Sequence, residues 1–384
     1  LARSEALGIV RLENIDFFVN DLERSHRFYT ELVDFRWVAE STEERRRDLQ
    51  QVTRIYEAGN IRMSVTEPDS PQSAAGRYLR RHPDGISALT FEVADVEKTF
   101  AVLEERGATI VDDVRWAEDA GGRLGHFAVT TPFGEAMFQF IERDGYSDPF
   151  PGLKRFETPR GGDNAFGFRD YDHVTSNFLT LAPMVRWCEE VLGLEQYWDI
   201  QFHTDDVAPD NDHGSGLKSI VLWDPHSGVK FANNEPLRPY FDASQIYIFV
   251  MDNHGSGIQH AALTTGDILS TVRGLNARGV KFMRTPGTYY DALPERLKTS
   301  TIGSIDEDIE ELRDLGILID GKEPHSYLLQ IFLKEAAGLY DDERAGPFFF
   351  EVIQRKGDKG FGGGNFRALF ESIEREQRQI RGEA

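Results

Sequence analysis

Apolar residues recur at i, i+4 and i+7 in two places, Val96, Phe100, Leu103 and Ile268, Val272, Leu275, and a glycine follows each set. That spacing marks one face of a helix, and the glycine marks its end. The segment GISALTFEVADVEKTFAVLEERGATIV, from Gly85, lies over GIQHAALTTGDILSTVRGLNARGVKFM, from Gly257, at a constant offset of 172. Gly85, Ile86, Asp95 and Gly107 meet Gly257, Ile258, Asp267 and Gly279, so each copy predicts strand, helix, glycine stop, strand. A second pair, FYTELVDF at Phe28 and WCEEVLGL at Trp187, reads as a helix end after the strands IDFFV at Ile15 and YDHVT at Tyr171. The chain is therefore an internal duplication, each half built from paired β-α-β-type modules.

No glycine-rich phosphate turn follows an early strand, which argues against a doubly wound parallel sheet. The expectation is an α+β fold: curved, mostly antiparallel sheets, each closing partly around a central cavity with helices outside. DGYSDPFPGLKRFETPRGGDN, from Asp144, is rich in Gly, Pro and Asp and reads as a linker. A boundary near residue 155 divides the chain into 1–155 and 156–384. The second part is longer because of an insertion, TYYDALPERLKTSTIGSIDEDIEELRDLGILIDGKEPH, whose middle has helical periodicity. A last helix, NFRALFESIEREQRQI, follows the turn GFGGGNF.

Composition narrows the chemistry. The 384 residues are 40% hydrophobic and carry a formal net charge of -22, enough for a sizeable core and a surface that repels phosphate backbones and anionic lipids. Nucleic acid and membranes are not expected partners. Cys188 is the only cysteine, which excludes an internal disulfide and a cysteine zinc cluster. The first residues show no basic segment followed by an apolar stretch, so the cytoplasm is the expected location.

The duplication allows candidate ligands to be compared between halves. His173 falls opposite Phe17, His260 opposite Ala88 and, most loosely, Glu351 opposite Gln139 when Arg355 is set against Arg143. Two histidines and one carboxylate on neighbouring strands form the facial triad that suits iron(II) with open positions. Only the second half can hold it. Glu351 lies in FFFEVIQR, a strand expected to be buried, where an unpaired carboxylate is costly and needs a partner or a metal. Arg355 is expected farther out along that strand. The other histidines lie in polar or loop-like stretches and receive no role.

GIQHAAL, SYLLQIFLK, FFFEVIQRKG and GFGGGNFRALFESIEREQ resemble the carboxyl-terminal signatures of the 4-hydroxyphenylpyruvate dioxygenases, within the vicinal oxygen chelate group. The resemblance is weak to about residue 165 and strong from there on. It implies two domains of β-α-β-β-β modules forming open barrels, with Fe(II) only in the second. It implies a small aromatic 2-oxo acid and O2 as partners, a homo-oligomer, and decarboxylation, ring hydroxylation and side-chain migration giving homogentisate. By the same resemblance, Ser219, Asn234 and Gln245 look like polar pocket lining. Gln259 and Gln330 look like amides orienting groups beside the metal, and Phe332 and Phe349 like a sandwich for the ring. Phe361, Asn365 and Phe366 look like parts of a terminal lid helix. The family usually reads Pro-x-Asn-Glu-Pro where this chain has Ala232, Asn233, Asn234, Glu235, Pro236, which puts substrate preference in doubt. A 4-hydroxymandelate synthase is the nearest rival, and Phe366 speaks against it. SYLLQIF and GFGGGNF speak against an extradiol ring-cleaving enzyme. A metal-free binding protein is the rival of another class, opposed by the intact triad.

Overall fold

In the computed structural model, residues 3–203, 216–238 and 241–365 are described. The first half contributes β1 (Ile9–Phe18), β2 (Arg36–Ser41), β3 (Gln51–Ala58), β4 (Ile61–Pro68), β5 (Gly85–Val93), β6 (Ile110–Glu118), β7 (Arg123–Thr130), β8 (Met137–Asp144) and β9 (Leu153–Gly161). The second contributes β10 (Phe168–Asn177), β11 (Glu195–His203), β12 (Gly216–Trp223), β13 (Lys230–Pro236), β14 (Gly257–Thr265), β15 (Leu318–Glu323), β16 (Ser326–Phe332) and β17 (Phe349–Lys356). The sheet orders are β6-β7-β8-β5-β1-β4-β3-β2-β9 and β11-β12-β13-β10-β14-β17-β16-β15. Read in opposite directions they coincide, apart from β9. Two β-α-β-β-β modules meet along an antiparallel seam in each sheet, β1 with β5 and β10 with β14. Each module closes on itself through a parallel pair, such as β1 with β4 or β14 with β17.

The matching helices Val96–Glu105 and Ile268–Ala277 start for the same local reason. Asp95 and Asp267 accept from the backbone N–H three residues on. Gly107 and Gly279 then adopt φ of 79° and 84°, left-handed conformations that end the helices cheaply. Both FYTELVDF and WCEEVLGL contain one widened helical turn, at Phe28–Leu32 and Cys188–Leu192.

Two expectations change. The segment read as a linker contains β9, which pairs with β2 and extends the first sheet to Gly161. The strand expected directly after Gly279 is reduced to a single bridge between Phe282 and Leu333. Helices Gly287–Thr299 and Ile309–Leu315 intervene before β15 takes that edge of β16, pairing Leu318 with Gln330.

A continuous apolar core joins the two sheets back to back: Phe17 packs edge-on against Phe348 at 5.0 Å, and Phe138 stacks on Phe231 at 5.7 Å. Because strand side chains alternate between faces, Val174, Ala261, Phe350 and Val352 fill this core while their neighbours turn to the concave face. Among the described residues no helix is long and apolar enough to cross a membrane.

Candidate metal centre

The three central strands of the second sheet assemble the triad by register. Ala262 on β14 lies opposite His173 on β10 and opposite Glu351 on β17, and His260 lies two residues before Ala262 on the same face. Nε2 of His173 and Nε2 of His260 each stand 3.4 Å from Oε2 of Glu351, and the donor atoms all lie within 4.8 Å of one another. All three residues are buried. No other three His, Cys, Asp or Glu side chains among the described residues come together in this way.

The second ring nitrogen of each histidine meets an oxygen. Nδ1 of His173 is 2.8 Å from Oδ1 of Asp172, and Nδ1 of His260 is 3.2 Å from Oε1 of Gln259. With Nδ1–H donating, both Nε2 lone pairs face the centre, the arrangement expected of metal-binding imidazoles. Gln259 reaches this position through a bulge. Thr175 pairs with His260 and Ser176 with Ile258, leaving Gln259 as the extra residue, free to share its neighbour's face.

Burial opposes charge on both rings and leaves the His260 pKa lowered. At His173 the carboxylates of Glu351 and Asp172 outweigh burial and raise it. Burial likewise pushes the Glu351 carboxyl up, but the two imidazoles hold it below its ordinary value. Its Oε1 has no hydrogen-bond partner, a cost of about 1–3 kcal/mol unless ligated. A buried carboxylate with one oxygen 3.4 Å from two oriented imidazoles and the other without a partner fits a divalent first-row metal.

The register corrects one part of the comparison between halves. Ile15 pairs with Met63 as Val174 pairs with Phe231, and Asp16 lies opposite Ala88 as Thr175 lies opposite His260. His173 therefore overlies Asn14 rather than Phe17; setting Asp16 against Asp172 had slipped the match by three residues. Gln139, opposite Thr90, does overlie Glu351, opposite Ala262. The first half thus has no imidazole at these positions. It has a hydroxyl–amide network instead, in which the Thr90 hydroxyl lies 3.1 Å from Asp16 and 3.4 Å from Gln139.

Most of the expected pocket residues share the ligands' face. Ser219 and Asn234 lie opposite each other on β12 and β13, both buried, and Nδ2 of Asn234 donates to Oδ1 of Asn177 at 3.0 Å. Gln330 and Phe332 lie on β16, with Phe332 opposite Glu351. Phe349 stacks on His260 at 4.7 Å. Phe332 meets Phe349 edge to face at 6.0 Å and 89°, so the expected sandwich is not preformed. Two parallel rings holding a third between them need about 7 Å. Gln245 does not join the site: it is exposed at the start of helix Gln245–Asp252, whose inward side is made by Ile246, Phe249 and Val250.

Phe361 lies edge-on to His173 at 5.1 Å and packs with Val221 and Ala232, so the alanine that departs from the family pattern is in contact with it. Asn365 is buried and accepts from the Tyr289 hydroxyl at 2.7 Å. Phe366 and the rest of the expected lid helix lie outside the described residues. Reading the sequence missed Asn177, whose Nδ2 is buried without a partner, and the Asp172–Arg355 pair. Asn177 is on the His173 face four residues along β10, so strict alternation from His173 points to it. Arg355 reaches Asp172 across strands, which no local pattern shows.

The model of the Glyoxalase/Bleomycin resistance protein/Dioxygenase superfamily matches residues 11–140 and 171–293. The chain is 38% identical over 321 residues to a 4-hydroxyphenylpyruvate dioxygenase of Caenorhabditis briggsae, covering 82% of this chain and 78% of that one. It is 33% identical to the enzyme of that name from Dictyostelium discoideum, covering 95% of this chain and 97% of that one. A solved triple mutant of 4-hydroxymandelate synthase from Streptomyces coelicolor superposes with a TM-score of 0.77 at 26% identity, over 96% of this chain and 99% of that one. With the duplicated modules and the buried His-His-Glu site, these likenesses show that the chain belongs to the glyoxalase/dioxygenase superfamily and, within it, to the 4-hydroxyphenylpyruvate dioxygenase family.

Proposed function

We propose that the protein is an Fe(II)-dependent dioxygenase converting 4-hydroxyphenylpyruvate and O2 to homogentisate and CO2, with His173, His260 and Glu351 holding the metal. The observation that carries this reading is the buried Glu351 carboxylate, with Oε2 facing two imidazoles whose other nitrogens are already engaged and Oε1 left without a partner. Iron bound there supplies a chelation site for the 2-oxo acid and activates O2. The chain's own residues do the rest. By accepting from Nδ1–H, Asp172 and Gln259 fix the tautomer and ring orientation that turn both Nε2 atoms toward the centre, and the Glu351 charge favours a cation there. Phe332, Phe349 and Phe361 line the site with apolar surface, which excludes water and favours an aromatic ring. Ser219, Asn234, Asn177 and Gln330 offer polar groups at fixed places on that lining. The first domain, without imidazoles at the equivalent positions, supports the second across the shared core.

The test is product analysis after anaerobic loading with Fe(II), followed by 4-hydroxyphenylpyruvate and O2. Homogentisate with one CO2 released per O2 consumed supports the reading. The structural likeness to 4-hydroxymandelate synthase favours a second reading, and 4-hydroxymandelate as product would establish it instead. Metal binding without oxygen uptake would exclude both.

A further inference from the structure

Arg355 has no place in the ligand set, yet it is the most heavily engaged cation near it. Its Nε lies 2.6 Å from Oδ2 of Asp172 and its Nη2 2.7 Å from Oδ1, a two-pronged pairing with a side chain only 4% exposed. Oδ1 of the same carboxylate is the atom that meets Nδ1 of His173. The remaining arm turns the other way: Nη1 donates to the carbonyl of Asp358 at 3.0 Å and to that of Gly360 at 2.8 Å. Those carbonyls belong to the turn that delivers Phe361, whose ring contacts both the guanidinium, at 5.9 Å, and His173, at 5.1 Å.

We propose that Arg355 is a positioning residue that joins the metal centre to the turn carrying Phe361, so that His173 is oriented and the apolar cover seated by the same side chain. The proposal rests on His173 being a ligand in the function proposed above. The geometry requires an arginine. Two parallel donors fill the carboxylate while a third, fixed in the same plane, reaches the carbonyls; a lysine ammonium has no such rigid fork. Asp172 is fixed in the same way: Arg355 engages both of its oxygens from the outer side, and Oδ1 also meets Nδ1 of His173.

The test compares Arg355→Lys, Arg355→Gln and Asp172→Asn with the wild-type chain in three measurements. These are anaerobic Co(II) affinity, the ratio of O2 consumed to product formed, and hydrogen exchange of the amides from 360 to 365. Asp172→Asn should weaken Co(II) binding about 10- to 100-fold, as loss of an outer partner of a metal histidine does, and, by loosening Arg355, should speed exchange in the turn less than the Arg355 variants do. Both Arg355 variants should weaken Co(II) binding, speed exchange in the turn and consume O2 in excess of product. Arg355→Lys, which keeps the charge, should restore none of the three fully. Wild-type affinity, coupling and exchange in Arg355→Lys would overturn the proposal. So would a loss of thermal stability in Arg355→Gln with affinity and coupling per folded molecule intact. If the wild-type chain itself neither binds Co(II) nor turns over, the proposed function fails rather than this coupling. If Arg355→Gln does not fold, Arg355→Lys and Asp172→Asn still decide.

Discussion

Replacing Glu351 by glutamine keeps the shape of the side chain and removes its charge, so it isolates what the carboxylate does. Oε2 is 3.4 Å from both Nε2 atoms, and the residue is 2% exposed. At that separation a unit charge interacts with the carboxylate by about 5 kcal/mol at an effective dielectric of 20. Loss of the negative charge should therefore weaken the binding of a divalent ion, which carries twice that charge, by at least about three orders of magnitude, a factor of ten for each 1.4 kcal/mol. In the metal-free fold the substitution alters only the contacts of Oε2 with the two imidazoles, and unfolding without Fe(II) measures that change separately. The assay is thermal unfolding under anaerobic conditions with and without Fe(II), followed by turnover of 4-hydroxyphenylpyruvate. At an iron concentration of about 100 times the wild-type Kd, the wild-type chain should gain about 2.7 kcal/mol and Glu351→Gln almost nothing. A variant that kept wild-type iron-dependent stabilisation, or wild-type product formation, would refute the assignment of Glu351 as a ligand.

Phe361→Ala removes a ring packed on Val221, Ala232 and His173 and should raise KM and the ratio of O2 consumed to product formed, read by oxygen electrode and chromatography. Gly362 has φ of 67°, and a Cβ there would lie 2.7 Å from the Gln330 amide; Gly362→Ala should cost about 1–2 kcal/mol on denaturant unfolding and lower kcat. Burial raises the Asp16 carboxyl to about 6, above its ordinary value, so its contribution to stability is full below about pH 4 and is lost as pH rises through 6. Asp16→Asn should consequently stabilise the chain above pH 6, by on the order of 3 kcal/mol at most, with no gain near pH 4, checked by denaturant unfolding at both ends of that window.

The two-fold repeat, the helix starts at Asp95 and Asp267, the left-handed stops at Gly107 and Gly279 and the burial of Glu351 all follow from residue order, because each depends on local backbone preference or on alternation along one strand. Phe349 shares the face of Glu351 because a strand repeats every two residues, whatever its neighbours are, whereas Ser219, Asn234, Gln330 and Phe332 join that face only through the pairings that link their strands to β10 and β17. Tertiary structure alone decided which strand lies beside which, and with what register. It set His173 over Asn14 rather than Phe17, drew Leu153–Gly161 into the first sheet and placed Gln245 in solvent. It turned Gln259 inward by a bulge that exists only in the pairing of β10 with β14. It also brought Arg355 to Asp172, 183 residues away in sequence. Local periodicity says which face a side chain occupies; its partner across the sheet is set by hydrogen-bond register between distant strands.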